Sequence, residues 1–157
     1  MTIYTIGYQR LASPQRLLQI AVGLDAVVWD CRSKPVSRRK GFGGEQLAQL
    51  LDHRYIWRGN VLGGKGQHAT AEGIAMLEAH SKHGNILLLC LEEAPGECHR
   101  HHDICGPHFP DAIHIWRDEL LTARSLTHDF VTDEAYVPCG SLANTLSNNR
   151  IKSSPET

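Results

Sequence analysis

Between residues 87 and 100 an apolar run, Leu87, Leu88, Leu89, Cys90 and Leu91, passes straight into Glu92 and Glu93. A Pro95-Gly96 turn follows, then Glu97, Cys98, His99 and Arg100. Two thiols, three carboxylates, an imidazole and a guanidinium thus stand within fourteen residues, at the place where a strand should end. In an open α/β sheet, ligands bind at such carboxyl ends. Glu92 and Glu93 are the acid/base candidates at this rim. Cys98, near a helix start and beside Arg100, is a candidate nucleophile, because a helix dipole and a cation both stabilise a thiolate. The three neighbouring acids oppose that effect, and a small packed thiol is the competing reading. His99 and Arg100 suit an anionic group or a leaving group.

A second group lies at residues 30–44. Asp30, Cys31 and Arg32 close an apolar run, and Lys34, Arg38, Arg39 and Lys40 bring the count to five cations within nine residues. Asp30 reads either as a general base or as the partner of Arg32 in a strand-end ion pair that pins the loop. Arg32, Ser37, Arg38 and Arg39 suit capture of a phosphate or carboxylate. Phe42, among three glycines, reads as a platform for a base or as a hydrophobic anchor. Gly63, Gly64 and Lys65 resemble a phosphate cradle but lack the P-loop spacing. Gly7 and Tyr8, at the end of the first strand, complete the expected substrate-binding set.

Metal chemistry draws on the same residues. On a helix, Cys98, His102 and Cys105 would fall at i, i+4 and i+7 and share a face, with Cys90 nearby. Structural zinc sites usually draw on paired C-x₂₋₄-C ligands, which this chain lacks. The sequence therefore assigns no metal ligand and predicts no cofactor, while leaving room for a divalent metal.

These residues need a scaffold. Short β-rich runs at residues 2–6, 25–31, 55–57, 85–91 and 112–116 alternate with helical patterns. The latter start at Pro14 behind the N-cap signal of Ser13, at Glu45, at the Thr70 cap, at Glu97 and at Asp118. The alternation predicts a small three-layer α/β/α domain with a mostly parallel sheet of about four or five strands. Residues 32–44 and 60–69 read as long loops. A single domain is expected over residues 1–143, with a flexible polar tail over 144–157.

Composition sets the class. The chain has 157 residues, 41% hydrophobic and 21% charged, with a net charge of −1, so no bulk basic field announces nucleic acid. Its ten His read mainly as surface residues. No apolar run approaches the roughly 20 residues of a membrane span. Five Cys without disulfide spacing, and no signal-like start, predict a cytoplasmic chain with reduced thiols and no membrane partner.

Taken together, several segments resemble the domain of unknown function 488 family. They are Thr5-Ile6-Gly7-Tyr8; Asp30-Cys31-Arg32-Ser33-Lys34-Pro35 with Ser37-Arg38; Leu62-Gly63-Gly64; Leu89-Cys90-Leu91-Glu92; Pro95 leading to Cys98-His99-Arg100; and His114-Ile115. The resemblance spans residues 2–117. It departs at Leu91, where the family more often has a small residue, at the doubled acid Glu92-Glu93, and at His101-His102, which stand outside the pattern. The resemblance implies a fold and a site, not a reaction. The chemistry of the site residues fits an enzyme acting on a nucleotide or nucleic-acid component, of hydrolase or of glycosyl or phosphoryl transferase type, with a phosphorylated small molecule or nucleic-acid component as the expected partner. The alternatives are a non-catalytic nucleotide-binding or sequestering protein, and a Cys/His metal or thiol module.

Overall fold

The computed structural model describes residues 1–63, 67–126 and 138–152. Strand β1 (Ile3–Gly7) leads to α1 (Pro14–Gly23), β2 (Ala26–Asp30), α2 (Gly44–Leu51) and β3 (Tyr55–Trp57). The short α3 (Gly59–Leu62), α4 (Ala71–Ser81) and β4 (Asn85–Cys90) follow. Beyond β4 come a 3₁₀ turn (Pro95–Glu97), a π-helical segment (Arg100–Cys105) and the short α5 (Gly106–His108). β5 (Ile113–Trp116), β6 (Glu119–Thr122), β7 (Gly140–Ser141) and α6 (Leu142–Lys152) complete the described chain. Both expected N-caps hold: Ser13 Oγ accepts the Arg16 N–H at 3.2 Å, and Thr70 Oγ1 accepts the Gly73 N–H at 3.0 Å.

The sheet order is β3-β2-β4-β1-β5-β6-β7, parallel from β3 to β5. Strand alternation sends its side chains into two cores. Tyr4, Ile6, Val28, Leu87 and Leu89 pack with Leu17 and Ile20 of α1 and Leu47 and Leu51 of α2. Ile3, Trp29, Ile86, Leu88 and Cys90 pack with Leu77 of α4 and with Cys98, Ile104 and Cys105. The α/β/α layering expected from the sequence is therefore present, with seven described strands rather than four or five.

The connections explain where a site must lie. The chain leaves β1 and β2 toward the α1/α2 layer, and leaves β3 and β4 toward the opposite layer. Because β4 sits between β2 and β1, its outgoing connection diverges from both neighbours. Such switch points open a crevice at the carboxyl ends of the strands.

Three sequence expectations are corrected. Where a helix is expected over residues 118–123, Glu119–Thr122 form β6 and Ala123 opens a 3₁₀ turn. Arg117 (φ 50°) and Asp118 (φ 65°) take the two left-handed positions of a tight hairpin between Trp116 and Glu119, without the Asn-Gly signal that usually marks one. Residues 97–105 form a 3₁₀ turn and a π-helical segment rather than one α-helix. The polar tail expected from residue 144 is helical to Lys152. Leu142 is buried, Leu146 packs beside Gly23, and Asn149 Nδ2 donates to the Gly23 carbonyl at 2.9 Å. A sparse apolar pattern concealed this helix, since one edge suffices to hold it. Residues 153–157 of the expected tail lie outside the described residues.

Candidate functional site

At the end of β2, alternation separates neighbours. Asp30 faces the α1/α2 side, and its carboxylate accepts four hydrogen bonds. They come from Arg32 Nε (2.8 Å), Arg32 Nη2 (2.6 Å), the Arg32 backbone N–H (3.1 Å) and the Tyr55 hydroxyl (2.7 Å). Burial and the Asp30 charge both push the Tyr55 hydroxyl up, which keeps it a donor. Burial works against the Arg32 charge, but Asp30 more than restores it. Asp30 is fully buried and saturated with donors, so it is the ion-pair partner that pins the loop and not a base facing solvent.

The loop that Arg32 starts folds back as a stack. Arg32 lies 5.0 Å from the Tyr8 ring centroid and donates Nη1 to the Phe42 carbonyl at 2.8 Å. Tyr8 stacks on Phe42 at 4.8 Å, and Arg39 lies 4.7 Å from the Phe42 ring. Arg39 also donates to the carbonyls of Gln9 (3.0 Å) and Leu11 (2.7 Å). Ser37 Oγ takes the Tyr8 hydroxyl proton at 3.1 Å and the Arg39 N–H at 3.0 Å. Phe42 is fully buried, so it anchors the loop instead of offering a platform. Of the basic side chains, Lys34, Arg38 and Lys40 remain exposed.

Arg100 is likewise a structural clamp. It is fully buried and donates Nε to Thr5 Oγ1 (3.1 Å), Nη1 to the Glu92 carbonyl (2.6 Å) and Nη2 to the Glu93 carbonyl (2.9 Å). Thr5 Oγ1 lies 2.7 Å from His114 Nδ1, and His114 Nε2 lies 3.1 Å from His101 Nδ1. Burial, with the charges of Arg100 and His101, holds His114 well below its ordinary range and therefore neutral. Gly7 serves the same joint. A Cβ there would lie 1.6 Å from the Glu92 carbonyl oxygen, so only glycine lets the turn after β4 close over β1.

On the opposite side of the sheet the sulfur ligands converge. β2 and β4 pair with Asp30 beside Leu89, so the next step places Cys31 beside Cys90. The Cys31 thiol donates to the Leu89 carbonyl at 3.1 Å, and the Cys90 thiol donates to Glu92 Oε2 at 3.2 Å. His99 Nδ1 lies 3.7 Å from both Cys90 Sγ and Cys98 Sγ. Cys31, Cys90 and His99 form one group with ligand atoms within 4.8 Å of one another, and Cys90, Glu92 and Cys98 form a second. Groups at metal-binding distance are thus present, but with a membership different from the one helical spacing gave. His102 is exposed beside the Gly96 carbonyl, and Cys105 is packed in the core with its thiol pushed up to about 12.

The electrostatics of the cluster are those of buried thiols. The hydrogen bond with Cys31, then burial, raise the Cys90 thiol; burial, then Cys90, raise Cys98. Cys98 is accordingly a packed thiol rather than an activated nucleophile. Burial acts to raise the Glu92 carboxyl, but hydrogen bonds from Cys98, its own backbone and Cys90, with the charge of Arg100, hold it below the ordinary range. Burial acts to lower His99, yet Cys98 and Glu92 leave it raised.

Two pockets line the carboxyl edge. A pocket of about 80 Å³ lies at the switch point, between Arg32, Ser33 and Lys34 on one wall and Cys90, Glu92 and His99 on the other. A larger one, of about 250 Å³, lies toward β5 and is lined by Arg10, Arg16, Arg117 and Glu93. Adjacent acids thus diverge: Glu92 enters the smaller pocket, whereas Glu93 pairs with Arg10 at 3.2 Å and Arg117 at 3.7 Å. The smaller pocket gathers the chemically diverse groups, and Tyr8 also lines it. Gly63 takes φ 75° in the turn after α3, away from this pocket; Gly64 and Lys65 lie outside the described residues.

Cys31 is the residue of this cluster that sequence reasoning missed. Its signal is positional: like Cys90, it ends an apolar strand on the face of the second core. No family model, curated protein or solved structure matches the chain. Among the described residues, no helix is long and apolar enough to cross a membrane.

Proposed function

We propose that this chain is an enzyme of the domain of unknown function 488 family, acting on a phosphorylated small molecule or nucleic-acid component by hydrolysis or group transfer. The observation that carries the reading is the smaller pocket, with cations on one wall and Glu92 on the other. At about 80 Å³ it has room for two or three waters of about 30 Å³ each. That suits the anionic reacting group of a substrate and leaves the body of the molecule outside. Val36 and Leu91, apolar yet 69% and 41% exposed, line the same pocket and offer a surface for a ring or base.

Lys34 and the unused N–H groups of Arg32 hold the anionic group. Glu92, kept ionised, takes a proton from water or an acceptor hydroxyl. The freed oxygen attacks, the bond to the leaving group breaks with its electron pair, and Glu92 returns the proton to that group. Five free cysteines suit a reducing compartment such as the cytoplasm.

A panel of nucleotides, sugar phosphates and short oligonucleotides, read by thermal shift and by product analysis, tests this reading. Stabilisation with turnover is expected. Lys34→Ala should weaken binding, and Glu92→Gln should abolish turnover while binding persists. Stabilisation without turnover would make the chain a sequestering protein. No response to any phosphorylated ligand would reject both readings.

A further inference from the structure

The groups around Cys90 have a geometry that hydrogen bonding alone does not call for. Three N and S ligands come from two parts of the chain: Cys90 closes β4, while the adjacent Cys98 and His99 follow the 3₁₀ turn. Both sulfur-to-Nδ1 distances are 3.7 Å. With metal–sulfur bonds of about 2.3 Å and metal–nitrogen bonds of about 2.0–2.1 Å, a tetrahedral zinc site has sulfur-to-nitrogen edges of about 3.6 Å. The two sulfurs also lie within 4.8 Å of each other, so all three ligand atoms can reach one ion with small adjustments.

The surroundings favour the same use. Among the described residues, His99 Nε2 is buried without a well-formed hydrogen bond, while Nδ1 is the ring nitrogen that lies beside the two sulfurs. A proton held at Nε2 leaves the Nδ1 lone pair facing the two sulfurs, which is the tautomer a metal requires. The Glu92 carboxylate, with Oε2 3.2 Å from Cys90 Sγ and within 4.8 Å of Cys98 Sγ, lies beside these ligands and lines the smaller pocket with Cys90 and His99. Three protein ligands and one side open to a pocket are the pattern of a catalytic rather than a structural zinc ion.

We propose that Cys90, Cys98 and Nδ1 of His99 form a three-ligand site for a zinc-class divalent ion, with Glu92 beside the fourth position. An ion there acidifies a water in the pocket, and Glu92 is placed to take the proton. The site shares Glu92 with the proposed enzyme but does not depend on turnover.

The test uses the full chain, stripped with a chelator and titrated with Co²⁺. One equivalent should bind with the intense visible bands of tetrahedral cobalt and with thiolate-to-cobalt charge transfer, and Zn²⁺ should bleach both. Cys90→Ser and Cys98→Ser should each lose the tetrahedral spectrum; Cys105→Ser and Cys139→Ser should keep it. Weak octahedral bands, no uptake, or an unchanged spectrum in both Cys90→Ser and Cys98→Ser overturns the site. Since both thiols are buried, a second measurement uses the parent chain: Zn²⁺ should protect Cys90 and Cys98 from alkylation, mapped by peptide mass. Equal alkylation with and without Zn²⁺ overturns the site as well. Running the substrate panel on stripped and zinc-loaded protein separates the two readings. A cobalt signature without turnover removes the enzyme and leaves the site, and turnover without metal uptake does the reverse.

Discussion

Replacing Asp30 by Ala should destabilise the fold before it touches any reaction. The carboxylate is fully buried and takes three donors from Arg32 and one from Tyr55. Removing it leaves a guanidinium only 6% exposed without its counter-charge, at a cost of about 3–5 kcal/mol for breaking a buried pair from one side. In a chain of this size each kcal/mol lowers Tm by about 2–4 °C, so the drop should lie between about 6 and 20 °C. Against a typical total of about 5–15 kcal/mol, that is about a fifth or more of the stability. Urea unfolding of Asp30→Ala, Arg32→Met and the double variant provides the assay. The double variant should be less destabilised than the sum of the singles, because it removes the stranded charge along with its partner. A stable Asp30→Ala protein, with additive singles, would refute the ion-pair assignment. If such a stable variant also lost turnover, Asp30 would return as a catalytic base.

Gly7→Ala should destabilise by more than about 2 kcal/mol in denaturant unfolding, since its Cβ would overlap the Glu92 carbonyl and force the turn after β4 away from β1. Arg100→Met should cost about 3 kcal/mol or more in the ligand-free protein, because it strands the Thr5 hydroxyl and two carbonyls that the guanidinium serves. An unchanged apo stability, with only ligand response lost, would instead make Arg100 an anion binder. His114 stays neutral when folded, so the unfolded chain binds more protons as pH falls below the ordinary value of 6.5. Its contribution is complete above that pH and is lost as pH drops toward the depressed folded value. His114→Asn should therefore flatten the stability-versus-pH slope in that window, and an unaltered slope would count against a neutral His114.

Much of this arrangement was legible in the sequence, but the division of labour was not. The ends of β1, β2 and β4 could be read from Gly7, Asp30 and Glu92, because apolar runs stop there. Which of Asp30 and Cys31 faces which layer depends on alternation combined with pairing register, and that requires knowing that β4 lies between β2 and β1. The basic loop looked like an anion trap because five cations in nine residues carry no mark of what they pair with. Folded, Arg32 and Arg39 serve Asp30, aromatic rings and backbone carbonyls. The helical spacing of Cys98, His102 and Cys105 misled because the segment winds as a π-helix after a 3₁₀ turn, which turns His102 outward. Glu92 and Glu93 could not be told apart by type. Their backbone carbonyls share one guanidinium while their side chains enter different pockets.

The sheet's outer strands bear on how the chain behaves in a crowded solution. Among the described residues, one border of the sheet is β3, three residues long, and the other is β7, with two. A neighbouring chain seeking to add a strand would meet only a few unpaired amides at either border, too short a template to extend by edge-to-edge pairing. The long apolar strands with strong β-propensity, β1 and β4, sit inside the sheet with partners on both sides. The described edges therefore disfavour association of folded copies through shared strands. Assembly by shared strands would first require opening the sheet.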